Sequence, residues 1–158
     1  MQLHILAIGR LKPGPERDLA GRYRERATQS GRGLGVSGPD ISEFSESRAR
    51  RPEDRKSEEG GLLVQRTGAG MRILLDERGE SMGSDRFAQL LADARDAGRP
   101  AACFIIGADG LDPCLHAGGH LALSFGALTL PHQLVRVLVL EQIYRAMTIL
   151  SGHPYHRS

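Results

Sequence analysis

The residues best suited to chemistry stand in the last quarter of the chain. The closing run His153-Pro154-Tyr155-His156-Arg157 sets a phenol, an imidazole and a guanidinium side by side. The imidazole of His156 titrates near neutral pH. The phenol of Tyr155 can stack on a base or hydrogen-bond its carbonyl, and Arg157 can fork onto a phosphate or an anionic oxygen. Arg136, upstream in the same region, is a second anion-binding candidate. Ahead of it lies Phe125-Gly126-Ala127-Leu128-Thr129-Leu130, which offers one side-chain hydroxyl and otherwise only main-chain N–H and C=O groups with apolar walls. Such a loop can read a flat heterocycle through backbone hydrogen bonds. It would equally serve as an ordinary buried connection. His116 and His120 stand at i,i+4, and His153 and His156 at i,i+3, which invites a metal. No third ligand accompanies either pair, and Ala117-Gly118-Gly119 supplies no carboxylate, so no metal is expected.

These groups must be positioned by a long helix over residues 132–150. Its apolar residues fall at 134, 135, 137 to 140, 143, 144, 146, 147, 149 and 150, far wider than the stripe of a surface helix, so two faces need cover. One face can lie on the chain's own sheet. The other is expected to meet a partner subunit, because so small a domain offers no second layer there. Gly152 suits a left-handed C-terminal cap, and Pro154 stops the helix from continuing.

The rest of the chain alternates strands and helices. Residues 3–8 are almost continuously apolar, as in a strand buried on both faces of a parallel sheet. A helix after Pro13 and Pro15 follows, with Leu19, Tyr23 and Ala27 on one side. Residues 30–39, with four glycines, are expected to be a loop, and 41–44 a strand. A helix over 52–66 must absorb Gly60-Gly61, each costing about 1 kcal/mol relative to Ala. Residues 72–76 form a strand that ends in a turn at 77–79. Ser84 is the expected N-cap of a helix that buries Phe87, Leu90, Leu91 and Ala94 and stops at Gly98. Residues 101–106 form a strand running into Gly107-Ala108-Asp109-Gly110, Pro113 opens a short helix, and 121–124 form the last strand. This order implies an α/β fold with a mostly parallel sheet flanked by helices, whose ligands collect beyond the carboxyl ends of the strands. Three loops answer that description: the ones after Leu75-Asp76, at Gly107, and at 125–130.

At 158 residues the chain reads as one domain, 1–158. Net charge of +2 is too small to indicate nucleic acid by itself. Of 21 basic residues two are Lys (Lys12 and Lys56), leaving 19 Arg. Arginine forks onto phosphates as lysine cannot, but a GC-rich genome would produce the same bias. Cys103 and Cys114 cannot make a disulfide framework, so a reducing cytoplasm is expected. Arg136 and Glu141 interrupt the best apolar run, so no membrane span is expected.

One family resemblance covers the chain. The series Leu123-Ser124-Phe125, Leu128-Thr129-Leu130-Pro131-His132, Val135-Arg136-Val137, Glu141-Gln142-Ile143-Tyr144-Arg145-Ala146 and His153-Pro154-Tyr155-His156-Arg157 resembles the C-terminal signature of the SPOUT-class methyltransferases that modify N3 of a pseudouridine in 23S ribosomal RNA. The match is dense over the last forty or so residues and in register back to Met1, and so many ordered positions make it far more specific than a short motif.

The resemblance implies a SPOUT α/β knot with a C-terminal trefoil knot, a homodimer of antiparallel-paired subunits, and S-adenosylmethionine bound in the knotted loops. It implies 23S rRNA in the assembled ribosome as the partner. Carried over position by position, the donor-binding residues fall on Leu75, Ile106, Gly107, Phe125, Gly126, Ala127, Leu128, Thr129 and Leu130, and the catalytic candidates are His156, Tyr155, Arg157 and Arg136. The family usually has two glycines at the 106–107 step, and here the first is Ile106. A β-branched residue cannot take positive φ cheaply and adds bulk beside the donor. N3 of a pseudouridine must lose a proton as it attacks, and His156 is the expected acceptor, with direct loss to water as the alternative. A SPOUT enzyme for another RNA, or a ribosome-binding protein with an impaired donor site, stays open at this point.

Overall fold

The apolar run near the N-terminus becomes β1 (Gln2–Ile8) in the computed structural model, which describes residues 1–108, 110–117 and 120–155. β1 is paired on one side with β2 (Ser37–Phe44) and on the other with β4 (Ala101–Ile106). Beyond β4 come β3 (Met71–Glu80) and β5 (His120–Leu123), giving the order β2-β1-β4-β3-β5 with every pairing parallel.

The strand period of two divides the apolar residues between two layers. Leu3, Ile5, Ala7, Ile73, Phe104 and Ile106 face α1 (Pro15–Gly31), α3 (Ser84–Asp96) and α4 (His132–Leu150). Leu6, Ile8, Leu74, Cys103 and Ile105 face the other way, onto Leu63 of α2 (Pro52–Thr67) and Leu115 of a 3-10 turn at Pro113–His116. The expected parallel α/β sheet with helices on both faces is present. Among the described residues no helix is long and apolar enough to cross a membrane.

The breadth of the apolar surface on α4 has a different cause from the one expected. α4 packs against both α1 and α3 within one layer, so its own neighbours cover its flanks as the sheet covers its base. Val139, Leu140, Ile143 and Met147 are fully buried inside the subunit, each worth about 1.5–3 kcal/mol relative to exposure. Only the outward stripe is left open, with Leu134 exposed and Leu138 half-buried. The C-terminal cap is as expected: the Gly152 N–H donates to Ile149 O, the His153 N–H to Thr148 O, and Gly152 has φ +68°.

Several local expectations are corrected. α1 runs on to Gly31, and β2 starts at Ser37, inside the expected glycine loop. Gly38-Pro39 looked like a loop signal, but β2 is an edge strand, where proline sacrifices no ladder bond. The register with β1 slips there, between Gln2 and His4, and Gly38 takes φ +87°. Ser84 does not cap α3. Gly83 holds that position, and the Ser84 hydroxyl donates to the Gln142 side chain of α4, so helix packing took the capping group. β3 extends to Glu80, past the expected turn, although the Arg78 N–H still folds back onto Asp76 Oδ1.

The paired glycines of α2 have opposite surroundings. A Cβ on Gly60 would lie 2.6 Å from Asp112 Cβ and 2.9 Å from Cys114 Sγ, whereas Gly61 has nothing within 4 Å. Gly60→Ala should therefore destabilise by about 1–3 kcal/mol, and Gly61→Ala should stabilise by up to about 1 kcal/mol. Urea unfolding of the two variants checks this; equal shifts would contradict the close packing of α2 on the 3-10 turn.

Candidate functional site

At the carboxyl ends of β3, β4 and β5 the sheet opens into a cavity of about 470 Å³, within the range of small-molecule sites. Its walls include Leu75, Ile106, Gly107, Phe125, Gly126, Leu128, Thr129 and Leu130, which is every expected donor-binding position except Ala127. Val135 and His132 close it from the first turn of α4, and Lys56 reaches it from α2.

Main-chain geometry shapes the cavity. Leu123, the last residue of β5, is in register with both Leu75 and Glu80 of β3, so the intervening residues bulge out around the strand end. Gly79 sits in that bulge, where a Cβ would fall 2.7 Å from the backbone of Ala122 and Leu123. The Ser124 N–H then donates to Glu80 O at 3.0 Å. The buried Ser124 hydroxyl accepts from the Gly126 N–H and lies 2.8 Å from Gly126 O and 3.2 Å from Glu77 O, which bends the following loop into the cavity wall. Thr129, the loop's hydroxyl, donates to Glu77 Oε2 at 2.8 Å. Ser124 and Glu77 were not among the expected site residues; a serine two residues before a glycine at a strand end is the signal that could have found the first.

Gly107 is required by space, since any Cβ there would strike Gly110 O and approach Leu111 Cδ2 at 3.0 Å. Ile106 is accommodated without backbone strain. No described non-glycine residue has positive φ, and the Ile106 side chain is buried in the helix-side core.

Arg136 does not present a free guanidinium to the cavity. Its side chain is 2% exposed, donating to Ile8 O, to Gly9 O at 2.6 Å, and to Glu43 Oε1. Burial pushes its pKa down, and the Glu43 carboxylate opposes that shift. Glu43 Oε1 also accepts from the Leu11 N–H. Arg136 thus ties the start of α4 to the ends of β1 and β2, in place of the anion-binding role expected.

The described part of the tail folds against α4. Tyr155 packs at a tilt against Tyr144 with ring centroids 4.5 Å apart, Arg145 lies over its ring at 5.1 Å, and its hydroxyl donates to Glu141 Oε1 at 3.3 Å. Glu141 accepts from Arg145 as well, so this i,i+4 pair is part of a half-buried cluster. Burial, with the hydrogen bond to Tyr23 and the Glu141 charge, pushes the Tyr155 phenol up to about 12, so it is a donor at neutral pH. Tyr155 packs two to three turns further along α4 than His132 and Val135, about 14 Å along the axis and on the opposite face. The subunit therefore does not bring its own tail root to its cavity. His156 and Arg157 lie outside the described residues, as does the side chain of His120. Among the described residues no three potential ligands cluster for a metal.

A family model described as "Predicted SPOUT methyltransferase" matches residues 1–156. A ribosomal RNA large subunit methyltransferase H of Rhizobium meliloti is 51% identical over the full length of both chains. The protein of that name from Methylobacterium radiotolerans is 54% identical over 99% of this chain and 98% of its own, and that from Rhodopseudomonas palustris (strain BisA53) is 52% identical over both full lengths.

The Arg136 tie can be measured without any ligand. Arg136→Met should cost on the order of 3 kcal/mol, because it removes a donor from two carbonyls and the ionic partner from Glu43. Arg136→Lys should recover only part, since an ammonium cannot fork across them. An unchanged urea midpoint for Arg136→Met would contradict the role assigned to this contact.

Proposed function

The chain belongs to the SPOUT methyltransferase family, and from that premise we propose that it methylates N3 of a pseudouridine in the large-subunit ribosomal RNA of the assembled ribosome. Its fold class is the α/β knot of that family, and its methyl donor is S-adenosylmethionine. The observation that carries the proposal is the cavity at the ends of β3, β4 and β5, where eight expected donor-binding positions converge on one space.

The groups present fit such a donor. The main chain of 125–130 can satisfy the edge of an adenine, Leu75, Leu123 and Val135 supply apolar walls, and Gly107 leaves room for close approach. Asp76 and Glu77 put carboxylates at the rim, suited to ribose hydroxyls or a positive charge. When bound, S-adenosylmethionine supplies a methyl group already activated by its sulfonium charge. What remains for the protein is alignment of the nucleophile and disposal of the imide proton. In this reading His156 accepts the N3 proton, Tyr155 positions the base, and Arg157 holds a phosphate or the developing anionic oxygen. Arg136 acts at a distance, by holding α4 and hence Val135 and His132 against the cavity.

Because Tyr155 is rooted on the far side of α4 from its own cavity, the reading requires two copies, with the tail of one serving the cavity of the other. The exposed Leu134 and half-buried Leu138 give the outward stripe of α4 the apolar character that a dimer contact needs. Ile143 is excluded from that contact, being sealed in the subunit core.

Purified protein and S-adenosylmethionine should add one methyl to a pseudouridine when given assembled ribosomes, as mapped by mass spectrometry of rRNA digests. A methyl on another RNA, or none despite donor binding, would refute the proposal. His156→Ala should leave donor affinity unchanged and lower the transfer rate by roughly 10²-fold or more, with partial recovery at high pH as the imide ionises unaided. A wild-type rate for this variant would exclude the imidazole. Leu134→Glu should yield folded monomers without activity, and an intact dimer by sedimentation would contradict the proposed contact.

A further inference from the structure

The chain has only two lysines, and one of them, Lys56, lines the donor cavity. It reaches the cavity from α2, on the sheet face opposite α4, where a Cβ on Gly110 would meet its Nζ at 3.5 Å. α2 is pinned there by Gly60, one turn further on, against Asp112 and Cys114. Lys56 is half-buried, and among the described residues no carboxylate pairs with it. The nearby acids are otherwise engaged: Glu77 accepts from Thr129, Asp76 from the Arg78 N–H, and Asp112 from the Cys114 N–H. A half-buried ammonium left unpaired beside a cavity is unfavourable unless an anion comes to it.

The cavity has two chemically different ends. The loop 125–130 offers backbone groups and apolar walls, which suit a heterocycle, whereas the wall at Gly107, Gly110 and Lys56 offers a cation. The donor proposed above is likewise divided, with an adenine at one end and an amino-acid group at the other. We infer that Lys56 pairs with the α-carboxylate of S-adenosylmethionine and so fixes the donor with its adenine toward 125–130 and its amino-acid end toward Gly110. This rests on the donor reading of the cavity. It makes Lys56 a donor-positioning residue, and it places recognition of the carboxylate on an element far from the tail in the sequence.

The test is titration calorimetry of the full-length wild type, Lys56→Met and Lys56→Arg with S-adenosylmethionine and with decarboxylated S-adenosylmethionine. Wild type should prefer the carboxylated donor by roughly 10- to 100-fold, the range of a charge-assisted hydrogen bond. Lys56→Met should lose that preference, binding both donors as wild type binds the decarboxylated one, and Lys56→Arg should keep part of it. Thermal melting of each variant shows whether the fold is retained. Equal weakening toward both donors, or a full preference kept by Lys56→Met, overturns the inference. So does a Lys56→Met protein with normal donor affinity and weakened ribosome binding, which would assign the lysine to an RNA phosphate instead. Wild type that binds neither donor would overturn the donor reading of the cavity itself.

Discussion

The close backbone contact at the end of β5 is the constraint on which the site depends. Gly79 lies against the main chain of Ala122 and Leu123 with no room for a side chain, and Leu123 is registered to β3 on both sides of the bulge. Once those backbones are set, Ser124 has no freedom: its N–H goes to Glu80 and its hydroxyl to the Gly126 turn. The loop 125–130 then falls beside Gly107 and Leu75. The cavity is a consequence of main-chain packing, and side chains contribute mostly its polarity.

The helix layer turns that local arrangement into a stable one. α4 occupies the middle of three helices on one face of the sheet, which satisfies most of its apolar surface within the subunit. Arg136 then anchors its first turns to the ends of β1 and β2 through Ile8, Gly9 and Glu43. A guanidinium in so dry a place is costly on its own, but two carbonyl acceptors and one ionic partner, Glu43, offset much of that cost, and its geometry fixes where α4 starts. At the other end, Gly152 stops the helix and Tyr155 folds onto Tyr144, Arg145 and Glu141. The two ends of α4 thus carry different tasks: one closes a cavity, the other roots the C-terminal tail.

Much of this was legible in the residues, for identifiable reasons. β4 and α4 have the bounds expected, because their apolar runs are long and end at Gly107 and Gly152. β2 was obscured because Gly38 and Pro39 signal a loop unless the strand is known to lie at a sheet edge, which depends on tertiary order. Ser84 had the right type and place for a cap, but a contact with Gln142, distant in sequence, took its hydroxyl. Periodicity could not show that α1 and α3 would flank α4, so the apolar surface left over by the sheet was assigned to a partner. The donor-binding positions came from the family pattern and not from spacing. Arg136 was misjudged because an arginine on an apolar helix gives no sign of which buried carbonyls await it, and Lys56 left no mark beyond the rarity of its type.

Division of labour between two copies is the central claim, and mixed dimers test it most directly. One chain would carry a blocked cavity, Gly107→Val, and the other a tail lacking residues 153–158, each inactive as a homodimer. If the tail of one copy serves the cavity of the other, co-expressed mixed dimers should regain methyl transfer to ribosomes through the single site that pairs an intact cavity with an intact tail. Mixed dimers that form and bind donor yet stay inactive would contradict the account.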